Sequence, residues 1–199
     1  MIKHIIILLT LALLPILSFG QVRIEDPMEI KLEAGFAIDP FYGGKGLIIK
    51  GKRQILNSRK FDGYFGLAAQ LTRDTETKFS DNVEGYNQDL GFYMVSDWLF
   101  YPLRSKTFFL GLEPFLGITN LKSKGTFDLE DFDISESYSN NYTYLNYGAT
   151  LSIGYDFGRL STNIFANASL KGMLDGGRFR PGDADSKILA GVNLGYTLK

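Results

Sequence analysis

Apolar and polar residues take turns along this chain with a period of two, and the runs are long. The last is KILAGVNLGYTLK, Lys187 to Lys199. Ile188, Ala190, Val192, Leu194, Tyr196 and Leu198 fall on one face, and Gly191, Asn193, Gly195 and Thr197 on the other. A period of two marks a strand with one apolar face. The same pattern occurs in Met28–Asp39, Leu47–Leu56, Phe61–Leu71, Leu90–Tyr101, Thr107–Ile118, Tyr142–Phe157 and Arg159–Lys171, which makes eight stretches. Soluble strands are commonly about 5–6 residues long, whereas a tilted membrane-crossing strand needs about 9–11. Length therefore points to strands that cross a bilayer.

The connections alternate in length. Asn57–Lys60, Pro102–Lys106 and Asp156–Gly158 read as tight turns, and Asp39–Gly46, Thr72–Asp89, Thr119–Asn141 and Gly172–Ser186 as longer polar loops. Bacterial outer-membrane barrels have an even number of strands, short periplasmic turns and longer extracellular loops. The expected fold is all-β: an eight-stranded antiparallel up-and-down transmembrane β-barrel, with both ends on the short-turn side. Pro27, Pro40, Pro102 and Pro181 fall at strand ends or in loops. Pro114 falls inside the fifth strand, where its missing N–H predicts a bulge or weakened pairing.

A soluble barrel that carries a hydrophobic ligand also alternates, with its apolar face inward. The charges separate the two cases. With the apolar face outward, the inward set holds Glu29, Glu33, Asp62, Asp97 and Glu113 against Lys31, Lys50, Lys52, Arg159 and Lys171. Such a balanced set can pair inside a narrow barrel, as buried charges must. The opposite facing would put Lys31 near a bilayer midplane at a cost of about 2–4 kcal/mol. Phe61, Trp98, Phe100, Phe108, Tyr155 and Tyr196 then cluster outward near the short turns, as a headgroup-level aromatic girdle would. Arg53 is outward by parity, and close enough to a turn to snorkel.

The N-terminus reads as a secretory leader. Met1–His4 is a short basic start, Ile5–Leu17 is apolar, and Ser18-Phe19-Gly20 offers small residues for cleavage. The expected division is a signal peptide over residues 1–20 and an outer-membrane β-barrel domain over 21–199. There is no Cys, so neither a disulfide nor a cysteine-linked lipid is available. Lys and Arg total 21 against 22 Asp and Glu, a balance that argues against nucleic acid as a partner.

With a leader ending SFGQ, eight amphipathic strands and GVNLGYTLK as the closing strand, the chain resembles the small outer-membrane β-barrel proteins of Gram-negative bacteria. This is the OmpA/OmpX-like group, here without a peptidoglycan-binding domain. The resemblance covers Gln21–Lys199 and is one of architecture. Many members end on an aromatic residue, often Phe; this chain ends Leu198-Lys199. The resemblance implies residence in the cell outer membrane, with outer-membrane lipids and lipopolysaccharide as surroundings.

Candidate chemistry is sparse. The one His is His4, inside the leader. Without His or Cys, acyl hydrolysis or transfer lacks its usual base and nucleophile, so no enzymatic activity, catalytic residue or cofactor is expected. Asp128, Glu130, Asp131, Asp133 and Glu136, with Asp183 and Asp185, could meet Ca²⁺ on flexible loops. They match no established Ca²⁺ loop and read as solvated acids near lipopolysaccharide, so no metal site is expected. Glu33, Glu113, Lys50 and Lys52 form an inward cluster that is either an ion path or a network filling the barrel. The expected role is structural or surface-interacting, with Thr119–Asn141 the chief outward contact. The alternatives are a small-solute, porin-like channel and a soluble periplasmic carrier.

Overall fold

The computed structural model describes residues 29–41, 43–74, 77–80, 83–103, 105–129, 134–170 and 187–198. The expected leader and its cleavage site lie outside these residues. So do Lys171 and the acids at 130, 131, 133, 183 and 185. The described residues form β1 (Ile30–Ile38), β2 (Lys45–Asn57), β3 (Phe61–Arg73), β4 (Thr77–Ser80), β5 (Val83–Phe100), β6 (Phe108–Leu129), β7 (Ile134–Asp156), β8 (Leu160–Ser169) and β9 (Ile188–Leu198). None of their residues forms a helix long and apolar enough to cross a membrane, which says nothing about strands.

Eight strands close into one antiparallel up-and-down barrel. Each pairs with its neighbours in the order β1, β2, β3, β5, β6, β7, β8, β9, and β9 returns to β1. Closure is in register along the whole of β1: Ile30 faces Arg53 on one side and Leu198 on the other, and Ile38 faces Lys45 and Ala190. β4 stands outside the ring and pairs only with β5.

Local chemistry sets the tight turns. At Asn57–Lys60 the Ser58 N–H donates to the Phe61 carbonyl, and the Phe61 N–H donates back to Ser58 Oγ at 3.0 Å. After β7, Asp156 Oδ1 accepts the Gly158 N–H at 2.8 Å, and Gly158 has φ +93°, which only glycine adopts without strain.

Two expected loops are mostly strand. Thr119–Asn141 holds the paired ends of β6 and β7, joined in register from Thr119–Tyr144 to Leu129–Ile134. Thr72–Asp89 holds β4 and the first part of β5. β7 meets β8 only from Gly148 onward, and β5 meets β3 only from Gln88 onward. The upper parts of β5, β6 and β7, with β4, therefore continue as a wall of sheet beyond the ring. Their backbone groups pair with one another, and this needs no apolar face.

At Pro114 the β5–β6 pairing lapses between Val95–Phe115 and Trp98–Leu112 and resumes without a register shift. Pairing to β7 continues through Pro114–Ala149. Of the two expected outcomes, the weakened pairing is the one found. Register shifts lie elsewhere, in β2 between Gln54 and Leu56 and in β4 between Lys78 and Ser80.

Candidate functional site

The barrel has two faces, and they are as the alternation predicts. Outward residues are apolar and exposed around the ring: Leu32 and Phe36 on β1, Ile49 on β2, Leu67 on β3, Phe92 on β5, Leu112 on β6, Leu151 on β7, Ile164 on β8 and Leu194 on β9. Ile164 is 69% exposed and Leu194 67%, values that in water would waste the hydrophobic drive. Near the short turns the outward aromatics gather. The rings of Phe61 and Phe100 lie 5.0 Å apart, those of Tyr155 and Phe157 4.7 Å, and Tyr196 is 40% exposed. Trp98 lies across Gly63 on the same face, and Arg53 is outward and exposed.

Inside, charge is concentrated at mid-height. Lys31, Lys50, Lys52, Glu33, Asp97 and Glu113 are all buried. Lys50 Nζ meets Glu113 Oε1 at 2.5 Å. Lys52 Nζ meets Asp97 Oδ2 at 2.5 Å, Glu33 Oε2 at 2.8 Å and Glu113 Oε2 at 3.4 Å. Lys31 Nζ lies 3.3 Å from Glu33 and 5.2 Å from the centre of the Phe109 ring. Three cations thus oppose three carboxylates. The four residues singled out from sequence come together, with Lys31 and Asp97 added. Gly195 faces the same space: a Cβ there would run into Ser161 Oγ and stand 3.0 Å from Lys31 Cε.

Apolar clusters flank the network at both ends. Toward the long hairpins lie Ala37, Ile48, Phe165 and Leu189, beside Ala68, Tyr93, Val95 and Phe115. Toward the short turns lie Tyr64, Leu99, Tyr101 and Phe109. The free space left among the charged side chains is about 10 Å³, at the limit of holding one water.

Each mouth has its own polar cluster. At the short-turn end, Lys106 Nζ donates to Asp62 Oδ1 at 2.7 Å and Asn57 Oδ1 at 3.0 Å. At the long-hairpin end, Lys187 Nζ donates to Asp89 Oδ2 at 2.7 Å and Asp74 Oδ1 at 3.4 Å. Burial works against the charged amine of Lys187, but Asp89 and Asp74 outweigh it and hold the pKa above the ordinary lysine value. Burial raises the pKa of Asp74, against the pull of Lys187.

One expected interior charge is elsewhere. Arg159 lies exposed in the β7–β8 turn, before β8 begins at Leu160, so strand parity does not govern it. Its long side chain keeps its charge in water. Sequence reasoning misses the Lys187–Asp89 pair. Parity carries the signal, since 187 continues the inward series 189, 191, 193, and 89 continues 97, 95, 93. Glu136 is exposed. Among the described residues no group of three or more His, Cys, Asp or Glu is arranged to hold a metal ion.

No protein-family model and no curated protein matches the chain. Several solved structures are similar. Ail, the attachment invasion locus protein of Yersinia pestis, solved with the heparin analogue sucrose octasulfate, is 17% identical at a TM-score of 0.44, covering 86% of this chain and 96% of that one. A major outer membrane protein from Thermus thermophilus is 15% identical at a TM-score of 0.47, covering 87% of this chain and 100% of the other. The N-terminal β-barrel domain of Pseudomonas aeruginosa OprF is 14% identical at 0.40, covering 85% and 97%. Likeness at this level leaves the reading of role to the chain's own residues.

Proposed function

We infer that the chain is an outer-membrane β-barrel protein, delivered by its leader (residues 1–20), with a structural or surface-interacting role and no enzymatic activity. The observation that carries this reading is the predominantly apolar outward belt around a mid-height network in which three cations meet three carboxylates. β9 presents apolar residues outward from Ile188 to Leu198. At about 3.3 Å per residue and a tilt near 40°, that run is roughly 25 Å tall, the height of the apolar band of membrane barrels. Lipid, lipopolysaccharide included, covers the belt. The wall formed by β4–β7 projects on the extracellular side, where a surface partner would meet it.

The packed interior argues against the channel alternative, because eight strands leave room only for side chains and the space among the charged side chains is about 10 Å³. It also argues against the soluble carrier, whose cavity would be apolar and open.

Brominated lipid tests the facing. With Trp98 replaced by Phe, a single Trp at position 192 is expected to be strongly quenched and one at 193 weakly. Equal quenching, or stronger quenching at 193, refutes lipid exposure of the belt. Orientation is read on whole cells: a cysteine at Ser139 should react with an impermeant reagent, and one at Asn57 only after the outer membrane is broken. The reverse pattern refutes the orientation.

A further inference from the structure

Above the apolar belt, on the long-hairpin side, part of the outer face carries cations. The register sets Lys45 of β2 beside Arg73 of β3, Arg73 beside Gln88 of β5, Gln88 beside Lys122 of β6, and Lys122 beside Asn141 of β7. The row beneath it is Leu47, Leu71, Leu90, Asn120 and Thr143. In the row above, Tyr86 pairs with Lys124. The Arg73 guanidinium lies 4.1 Å from the centre of the Tyr86 ring. Lys45 and Arg73 are exposed, and Lys122 and Lys124 half-exposed. Among the described residues, no carboxylate forms an ion pair with any of the four. Among the described residues the cations are also one-sided: at the same edge of β1, β9 and β8 the outward residues are Ile38, Ile188, Ala190, Ala166 and Ala168.

Adjacent strands lie about 4.8 Å apart. Lys45 and Arg73 are therefore close enough to share one anion. Lys122 and Lys124 can share a second, two strands away at roughly 10 Å. Stacking on Tyr86 limits the freedom of the Arg73 fork, so less is lost when it grips a planar or tetrahedral oxyanion. An anion at this height that also has hydrocarbon beneath it is a lipid phosphate: the chains cover Leu47, Leu71 and Leu90 while the headgroup meets the cations. We propose that Lys45, Arg73, Lys122 and Lys124 form a binding site for phosphate-bearing anionic lipid in the leaflet at the long-hairpin end. This rests on the lipid-facing reading of the belt and adds a lipid class and a side of the barrel to it.

The test uses the whole folded protein with Trp98 replaced by Phe and one reporter, Phe92→Trp on β5 or Val192→Trp on the opposite strand β9. Vesicles are neutral phosphatidylcholine with a minority of anionic phospholipid, and bromine is carried by the chains of one lipid or the other. At position 92 the anionic lipid should be preferred roughly fivefold, the gain of about one cation engaged at a charged surface. At position 192 no preference is expected. Changing all four cations to Gln should abolish the preference while heat-modifiable gel mobility is retained. If that variant fails to fold, Lys45→Gln with Lys122→Gln should reduce the preference. Equal quenching by both lipids at 92, or a preference that survives the Gln changes, overturns the proposal. Loss of the preference to inorganic phosphate, but not to chloride of equal ionic strength, assigns the site to free phosphate and also overturns it. No quenching at 92 by either lipid would instead refute the belt reading.

Discussion

Lys52 is the cation on which the interior charges turn, and removing it has a calculable consequence. It is 2% exposed and contacts Asp97, Glu33 and Glu113. In Lys52→Met, Glu113 keeps Lys50 at 2.5 Å and Glu33 keeps Lys31 at 3.3 Å. Asp97 loses its cation, and three carboxylates face two amines. Breaking a buried pair from one side costs about 3–5 kcal/mol, because the remaining charge is left without compensation. That is a large part of the roughly 5–15 kcal/mol that holds a typical domain together. The double variant Lys52→Met with Asp97→Asn restores two against two. It should therefore be more stable than Lys52→Met alone, with a coupling of about 2 kcal/mol or more. The assay is reversible denaturant unfolding in lipid vesicles, followed by the fluorescence of Trp98. A loss below about 1 kcal/mol for Lys52→Met would refute the reasoning, as would a double variant whose loss equals the sum of the two single losses.

Val192→Arg should cost about 2–4 kcal/mol in vesicle unfolding if it places a charge in the hydrocarbon; a cost near zero would contradict the facing. Gly195→Val should cost about 1–3 kcal/mol by overpacking against Ser161 and Lys31, again by denaturant titration. Pro114→Ala should be neutral or stabilising by about 1 kcal/mol, since it returns an N–H to the lapsed β5–β6 pairing. Because Lys187 has its pKa raised on folding, its contribution should be fully present below the ordinary lysine value of 10.5 and lost only as pH rises through its folded value. Lys187→Met should therefore differ from the parent in thermal unfolding at pH 7 and converge with it in strong alkali.

The barrel was legible because one face of its strands is apolar. In β1 and β9 every outward residue is apolar, so period two is written directly in the sequence. The same rule hid the upper parts of β6 and β7. Ser123, Lys124, Ser139 and Asn140 put polar residues on both faces, and a polar strand looks like a loop. What marks it instead is cross-strand pairing, such as Asn120 Nδ2 on Asn141 Oδ1 at 2.7 Å. The interior charges were legible by parity, but their partners were not. Lys50 and Glu113 are 63 residues apart, and only the register of strands joined through others brings them together. Arg159 shows where parity ends, one residue short of its strand.

The gap at Pro114 gives the ring a place to breathe. A closed ring of strands has no edge strand, so within the ring a break in the ladder is where backbone protons are least protected. Here the break spans Ser96 and Asp97 on β5 and Glu113 and Pro114 on β6, and two of those four side chains belong to the buried charge network. The seam thus runs beside the part of the interior that gains most from a visiting water. The backbone proton of Ser96, which points toward β6, should exchange ahead of those at Leu67 and Ala68 on the uninterrupted β3, and ahead of Asp97, whose N–H points into the intact β3–β5 ladder. Mechanical tension around the circumference would part the same joint first.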